Sequence, residues 1–317
     1  MITKPTVLIV GAGGSADYGF PTGRGLLLNI CRDVGLGGHV FSMFTQRMEI
    51  HSNLVEKFVD SLQKSAAPSV DLFLEYRKEF EDVGKMAIAA ELIQLENFEN
   101  LSVFNRWLPA QRQQRWYETL FSLMVTGGRY EENRLSIITF NYDRSLEAFL
   151  FQALQNLYGL SAKEAEDRLK SIPIIHVYGA LGTSLTPDDS DRRGYQSELR
   201  GDWVSESAKR IKIVHEAKPG GEFEQAFGLL CEAEEILFLG FGFHEVNVKR
   251  LRLQEVYENH TQRRKRTKWM ACRTEMGVGD VRRAQAFVGG GYIEFAPESS
   301  WGINEFLKNT KCLIPAI

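Results

Sequence analysis

The sequence predicts an α/β protein: a Rossmann-like, mainly parallel sheet with helices on both faces, plus a helical insertion at about residues 30–130. Three observations lead there. Short apolar runs recur along the chain and stop at glycine or polar turns. Segments with apolar residues three and four apart lie between those runs, as amphipathic helices require. The stretch of about 30–130 has many such segments and few strand-like ones. Strands alternating with helices imply a parallel sheet covered on both faces, whose ligands sit beyond the carboxyl ends of the strands.

In chain order, residues 7–10 (VLIV) read as a buried strand ended by glycine. The insertion carries helical segments such as SNLVEKFVDSLQKS and KMAIAAELIQLENF, with breaks near Pro68 and Pro109. Residues 135–140 (LSIITF) form a second strand, followed by the helical RSLEAFLFQALQNLYG, which Gly159 stops. Residues 172–177 make a third strand. The polar, turn-rich stretch 182–203 reads as a mobile loop. A strand is expected at 211–214, a helix at 223–233, a strand at 236–239 and a single helix over VNVKRLRLQEVYEN. Short strands at 269–272 and 292–295, separated by a helix, complete the order. No internal repeat or low-complexity tract interrupts it.

The 317 residues are 44% hydrophobic and 25% charged, with a net charge of −3, an ordinary composition for a globular chain. That balance gives no electrostatic reason to expect nucleic acid or a membrane surface as a partner. No apolar run approaches the roughly 20 residues that span a bilayer, and the chain enters a strand almost at once, so no signal peptide is expected. Cys31, Cys231, Cys272 and Cys312 are scattered without C-x2-C spacing, which fits a reducing cytoplasm and no structural metal.

Four motifs fall at four strand ends. Gly11-Ala12-Gly13 follows the first strand, where glycines either make a tight turn or let the backbone meet a pyrophosphate near a helix N-terminus. The usual fingerprint then needs a second strand and a ribose-binding acid about 20 residues on. Asp33 has that spacing but follows helical sequence, so an ordinary dehydrogenase is disfavoured. Ser15, Gly19, Pro21 and Arg24 suggest instead a longer loop over the ligand. Asn141-Tyr142-Asp143 follows the second strand. The Asn141 carboxamide can hold a water or a ribose hydroxyl, and Asp143 either braces the loop or caps the next helix. His176-Val177-Tyr178-Gly179 ends the third strand, and residues two apart should project together. His176, largely neutral near pH 7 at an ordinary pKa of about 6.5, suits proton transfer, and Tyr178 can donate a hydrogen bond. The alternative is a core histidine beside a packed tyrosine. Gly240-Phe241-Gly242-Phe243, with Asn247 beyond, offers either a second close backbone approach or a simple strand-to-helix turn.

These residues carry a resemblance. In order and spacing, Gly11-Ala12-Gly13-Gly14-Ser15, Gly19-Phe20-Pro21 with Arg24, Asn141-Tyr142-Asp143, His176-Val177-Tyr178-Gly179 and Gly240-Phe241-Gly242 resemble the sirtuin-like superfamily. The likeness is to its prokaryotic branch associated with antiviral defence, and covers nearly the whole chain except the insertion. It implies one NAD-binding domain over residues 1–317 that cleaves the nicotinamide–ribose bond of NAD to give ADP-ribose and nicotinamide. Asn141, His176 and Tyr178 would be the catalytic set. Gly11, Ala12, Gly13, Ser15, Pro21, Arg24, Asp143, Gly240, Gly242 and Asn247 would bind NAD. Deacylating sirtuins carry a four-cysteine zinc ribbon that this sequence lacks, so no metal and no peptide deacylation are expected. The family histidine sits immediately before the glycine, where this chain has Tyr178, with His176 two residues earlier. In the defence branch such an activity depletes NAD and is restrained by a partner, so a separate regulatory or sensor protein and an oligomer are expected. The other reading is a non-catalytic subunit that senses NAD or ADP-ribose.

The remaining features are assigned nothing. TQRRKRTK at 261–268 reads as a solvated helix end, and Asp188, Asp189 and Asp191 as acidic turn residues. His39, His51, His215 and His260 lack partners at ligand spacing.

Overall fold

The computed structural model describes residues 1–102, 115–186, 193–213, 221–274, 276–288, 293–310 and 312–313. Six strands form one sheet: β1 (Thr6–Val10), β2 (Leu135–Thr139), β3 (Ile174–His176), β4 (Glu235–Leu239), β5 (Lys268–Ala271) and β6 (Glu294–Phe295). Every neighbouring pair is parallel, in the order β3-β2-β1-β4-β5-β6. This is the doubly wound Rossmann order, in which the chain reverses direction between β1 and β4 and opens a crevice there. All five residues of β1 and of β4 are buried, as a sheet covered on both faces demands.

The register decides where the motifs stand. Val10 pairs with Thr139 on one side and Leu239 on the other, and Thr139 pairs with His176. Four strands therefore end level, and Gly11, Asn141, Tyr178 and Gly240 follow on one rim.

Among its described residues, the regular elements of the insertion are all helical. Its longer helices are Ser52–Lys64, Val70–Tyr76, Glu81–Ile93 and Trp116–Val125, and the break at Pro68 falls between the first two. The break at Pro109 lies outside the described residues. The helix Glu81–Ile93 packs against both Gly23–Asp33 and Gly201–Arg210, so the insertion is continuous with the core around the sheet. The helix Ser145–Tyr158 ends where expected, with Gly159 in the left-handed conformation (φ 66°).

Three expectations need correction. Residues 211–213 form no strand. Ile211 is extended and buried at the end of the helix Gly201–Arg210, and the Lys212 amide donates to the Tyr178 carbonyl (2.9 Å) in a turn. The helix expected over 246–259 is two helices, Glu245–Arg250 and Leu253–Gln262. They break at Arg252 (φ 53°), whose guanidinium stacks 3.8 Å from the Phe227 ring centre and bonds Glu255. The described part of 182–203 is anchored rather than a free loop. Arg193 and Tyr195 are 2% and 4% exposed, and Arg193 binds Glu96 (2.5 Å), which also takes a two-pronged bond from Arg144 (3.0 and 2.8 Å). Asp188, Asp189, Asp191, His215 and Tyr292 lie outside the described residues.

Candidate functional site

At the crevice between β1 and β4 the two glycine turns touch. The Gly11 amide donates to the Leu239 carbonyl (3.1 Å) and the Gly13 amide to the Gly240 carbonyl (3.2 Å). Gly240 has φ +59°, and a Cβ there would stand 2.3 Å from the Gly14 nitrogen. A Cβ on Gly11 would stand 2.5 Å from the Gly240 oxygen, and one on Gly13 3.0 Å from the Gly240 Cα. These glycines therefore serve an approach of backbone to backbone. The free side of Gly13, which the sequence assigns to phosphate, faces Gly240.

Beyond Gly13 the chain departs from the dinucleotide pattern as expected. Two short 3₁₀ turns, Ala12–Gly14 and Ala16–Tyr18, precede the first α-helix, Gly23–Asp33. The Trp116 indole N–H donates to the Gly14 carbonyl (2.7 Å). Tyr18 stacks on Tyr117 with ring centres 3.7 Å apart. The Arg115 guanidinium lies 4.3 Å from the Tyr18 ring centre and donates to the carbonyls of Asn100, Leu101 and Ser102. The insertion thus holds the loop from below. Pro21 is half-buried, and Arg24 and Gly242 are exposed.

A polar network runs from this loop to the end of β2. The Asn141 amide nitrogen donates to the Ser15 hydroxyl (3.1 Å), which donates to Asp143 (2.8 Å). Asp143 also accepts the Ser145 amide (3.0 Å) and hydroxyl, and the Ser145 and Tyr117 hydroxyls are 2.7 Å apart. Asp143 thus braces the loop through Ser15 and bonds Ser145 at the start of Ser145–Tyr158, whose N-cap position is held by Arg144 rather than by Asp143. Burial pushes its carboxyl above the ordinary range, against the hydrogen bonds that favour the charge. The Asn141 Oδ1 is buried and has no hydrogen-bond partner among the described residues.

His176 and Tyr178 do not project together. β3 ends at His176, so Tyr178 lies in a turn where strand alternation no longer applies. The His176 Nδ1 lies 2.8 Å from the Asn141 main-chain oxygen, and its Nε2 pairs with Glu147 on Ser145–Tyr158. Both partners are acceptors, so a ring satisfying both carries two protons. Burial works to lower the His176 pKa, but the Glu147 charge and both hydrogen bonds outweigh it and raise it. Burial likewise works against the Glu147 charge, and the His176 cation overrides it, holding the carboxyl low. The expectation of an ordinary, largely neutral imidazole is therefore corrected: these partners and the raised pKa favour the imidazolium form.

Tyr178 turns to the other half of the rim. Its hydroxyl donates to the Asn247 Oδ1 (2.7 Å), and its ring packs edge-on against Phe140 and Phe223. Burial pushes its pKa up to about 12. Nearby, the Tyr142 hydroxyl donates to Asp71 (2.5 Å), which comes from the insertion helix Val70–Tyr76. Burial raises the Asp71 pKa as well.

Sequence reasoning missed Glu147, Ser145, Tyr117, Arg115 and Asp71. Only Glu147 left a signal: flanked by Leu146 and Ala148, it is the only charged residue of the helix that follows a candidate site. Some of the unassigned features have structural partners. His260 is buried against the Leu230 and Cys231 carbonyls, and Arg263 and Lys265 bind Glu232 at the end of the helix Glu222–Glu232. No helix among the described residues is long and apolar enough to cross a membrane.

Fold and site together define a Rossmann-like α/β protein with a polar network at its switch point. Comparison of the sequence with protein-family models and with curated proteins finds no match.

Proposed function

We propose that the chain binds NAD across the strand ends and cleaves its nicotinamide–ribose bond, as a sirtuin-like NAD glycohydrolase of antiphage defence. In this reading it works in the cytoplasm without a metal, as an oligomer, restrained by a separate regulatory or sensor protein. The observation that carries the proposal is the convergence at the β1–β4 switch point. Two glycine turns meet there beside the Asn141 carboxamide, whose oxygen has no partner among the described residues.

The chemistry asks little of the protein beyond placement. The C–N bond breaks with its electron pair leaving on nicotinamide, which departs neutral from a pyridinium and needs no acid. A water oxygen bonds the anomeric carbon and gives up a proton. Asn141 would orient the ribose or the water, and His176, once neutral, would take the proton. The loops at Gly11–Ser15 and Gly240–Gly242 would hold the phosphates.

The test is to incubate the pure protein with NAD and follow free nicotinamide, alone and with the products of neighbouring genes. Nicotinamide and ADP-ribose should appear in equal amounts. Asn141→Ala and His176→Ala should each cut the rate roughly 100-fold or more, since positioned acid–base groups commonly contribute 10² to 10⁴, while NAD binding is better preserved. Tyr178→Phe, which removes only the hydroxyl bonded to Asn247, separates the two candidates: if it abolishes turnover and His176→Ala does not, the tyrosine has the role. The second reading is a non-catalytic sensor of NAD or ADP-ribose. The pairing of His176 with Glu147 favours it, and NAD binding without nicotinamide release under any condition would establish it.

A further inference from the structure

We infer that Glu147 is a positioning residue that holds His176 in a latent, doubly protonated state, which must be released before the histidine can accept a proton. The inference rests on the NAD-cleavage reading for its functional consequence, though not for the pairing itself.

The geometry closes both ends of the ring. Nδ1 faces the Asn141 carbonyl at 2.8 Å, and a main-chain carbonyl can only accept, so this nitrogen carries hydrogen. Nε2 faces the Glu147 carboxylate, where hydrogen is again required. No lone pair is left to take a proton from a ribose hydroxyl or a water. Both side chains are largely shielded from solvent, at 12% and 15% exposure, so water competes poorly for the pair.

The surroundings reinforce the cation. Asp143, in the loop before the helix, adds negative charge near His176. Arg144 helps keep the Glu147 carboxylate charged from the same loop, while its guanidinium bonds Glu96 and the Ser184 and Gly194 carbonyls. The hydroxyls of Tyr117 and Tyr195 also feel the Glu147 charge, and burial keeps both protonated, so they add no charge. Among these, Glu147 alone bonds the imidazole with a charge. The pair also joins β3 to the helix that begins just after Asn141 and Asp143, so a ligand or partner that shifts this helix would open the ion pair and free Nε2.

The experiment uses the full chain with 13C-labelled histidine, the His176 signal being assigned by its loss in His176→Ala. In the wild type His176 should titrate above the ordinary histidine range. In Glu147→Gln its midpoint should fall by about one pH unit or more, the usual effect of removing an adjacent opposite charge. Glu147→Asp, which keeps the charge on a shorter arm, should restore part of the shift. Nicotinamide release is measured over the same pH range. The acidic limb of the rate profile should move down with the His176 midpoint, raising turnover several-fold near pH 6 in Glu147→Gln. An ordinary wild-type midpoint, which needs no variant to fold, overturns the inference, as does an unchanged midpoint in Glu147→Gln. A midpoint that moves while the rate profile stays in place overturns the latch, leaving Glu147 as a structural partner. A moving midpoint with no turnover in any variant confirms the pairing and counts against NAD cleavage instead.

Discussion

Gly240 shows how much of the rim depends on single residues. It adopts φ +59° and presses its α-carbon on the Gly13–Gly14 backbone, so Gly240→Ala meets both a left-handed conformation and a 2.3 Å contact. The backbone strain alone costs about 1–3 kcal/mol, and the contact adds to it. The variant should unfold at clearly lower urea concentration than the wild type, and an unchanged midpoint would show that the two turns do not touch. Gly13→Val must be judged in that light. Its branched side chain would meet Gly240, so lost NAD affinity bears on phosphate binding only if the variant's stability is first shown to be intact. Asp143 is the other residue on which several bonds converge. Asp143→Ala strips acceptors from the Ser15 and Ser145 hydroxyls and the Ser145 amide. Buried donors left unpaired cost about 1–3 kcal/mol each. That loss should appear in denaturant unfolding as well as in activity.

Elements far apart in sequence meet through buried charge, and this is where sequence reading fell short. Glu96 lies just after the helix Glu81–Ile93, yet its carboxylate holds Arg144 before the helix Ser145–Tyr158 and Arg193 beyond it. Glu96→Gln would leave two buried guanidinium groups facing a neutral amide. Breaking a buried pair costs about 3–5 kcal/mol, so melting should fall steeply and residues 193–203 should become sensitive to protease. A variant that melts normally would mean that the cluster does not form. Polar residues in 182–203 look like a solvent loop because nothing local pairs with them; the partner of Arg193 is 97 positions away. For the same reason Asp71 gave no sign that it would reach Tyr142. The strands were legible because burial on both faces makes them apolar runs, as in VLIV and LSIITF. The grouping of Ser15, Asn141 and Asp143 at one rim followed from parallel register alone. The parting of His176 from Tyr178 was hidden, because it turns on β3 ending one pleat earlier than its apolar run suggests.

At the scale of the whole molecule, buried acids should make stability fall as pH rises through neutrality. Glu91 is the main source. It lies on the helix Glu81–Ile93 at 4% exposure, its Oε1 has no hydrogen-bond partner among the described residues, and Asp33 stands close by. Burial first, then the Asp33 charge, push its carboxyl from 4.5 up to about 7. A protonated Glu91 can donate to Asp33, which the Arg32 hydrogen bond, against the opposing effect of burial, holds ionised below its ordinary range. The folded chain therefore binds more protons than the unfolded chain between about pH 4.5 and 7, and linkage makes stability decrease across that window by at most about 3 kcal/mol. His176 acts in the same direction at higher pH. Its folded pKa is raised, so its contribution is complete below the unfolded value of 6.5 and is lost as pH rises through the folded value. Glu147 acts oppositely at the acid end, since its contribution is lost only as pH falls through a folded pKa below 4.5. The melting temperature should accordingly be higher near pH 5.5 than near pH 8.5. Glu91→Gln has nearly the same shape and no charge to desolvate, so it should remove the part of the slope below pH 7 and stabilise the protein most at pH 8. If it leaves the slope intact, the proton uptake on folding belongs to another group, with Asp143 and Asp71 next in line because burial raises both.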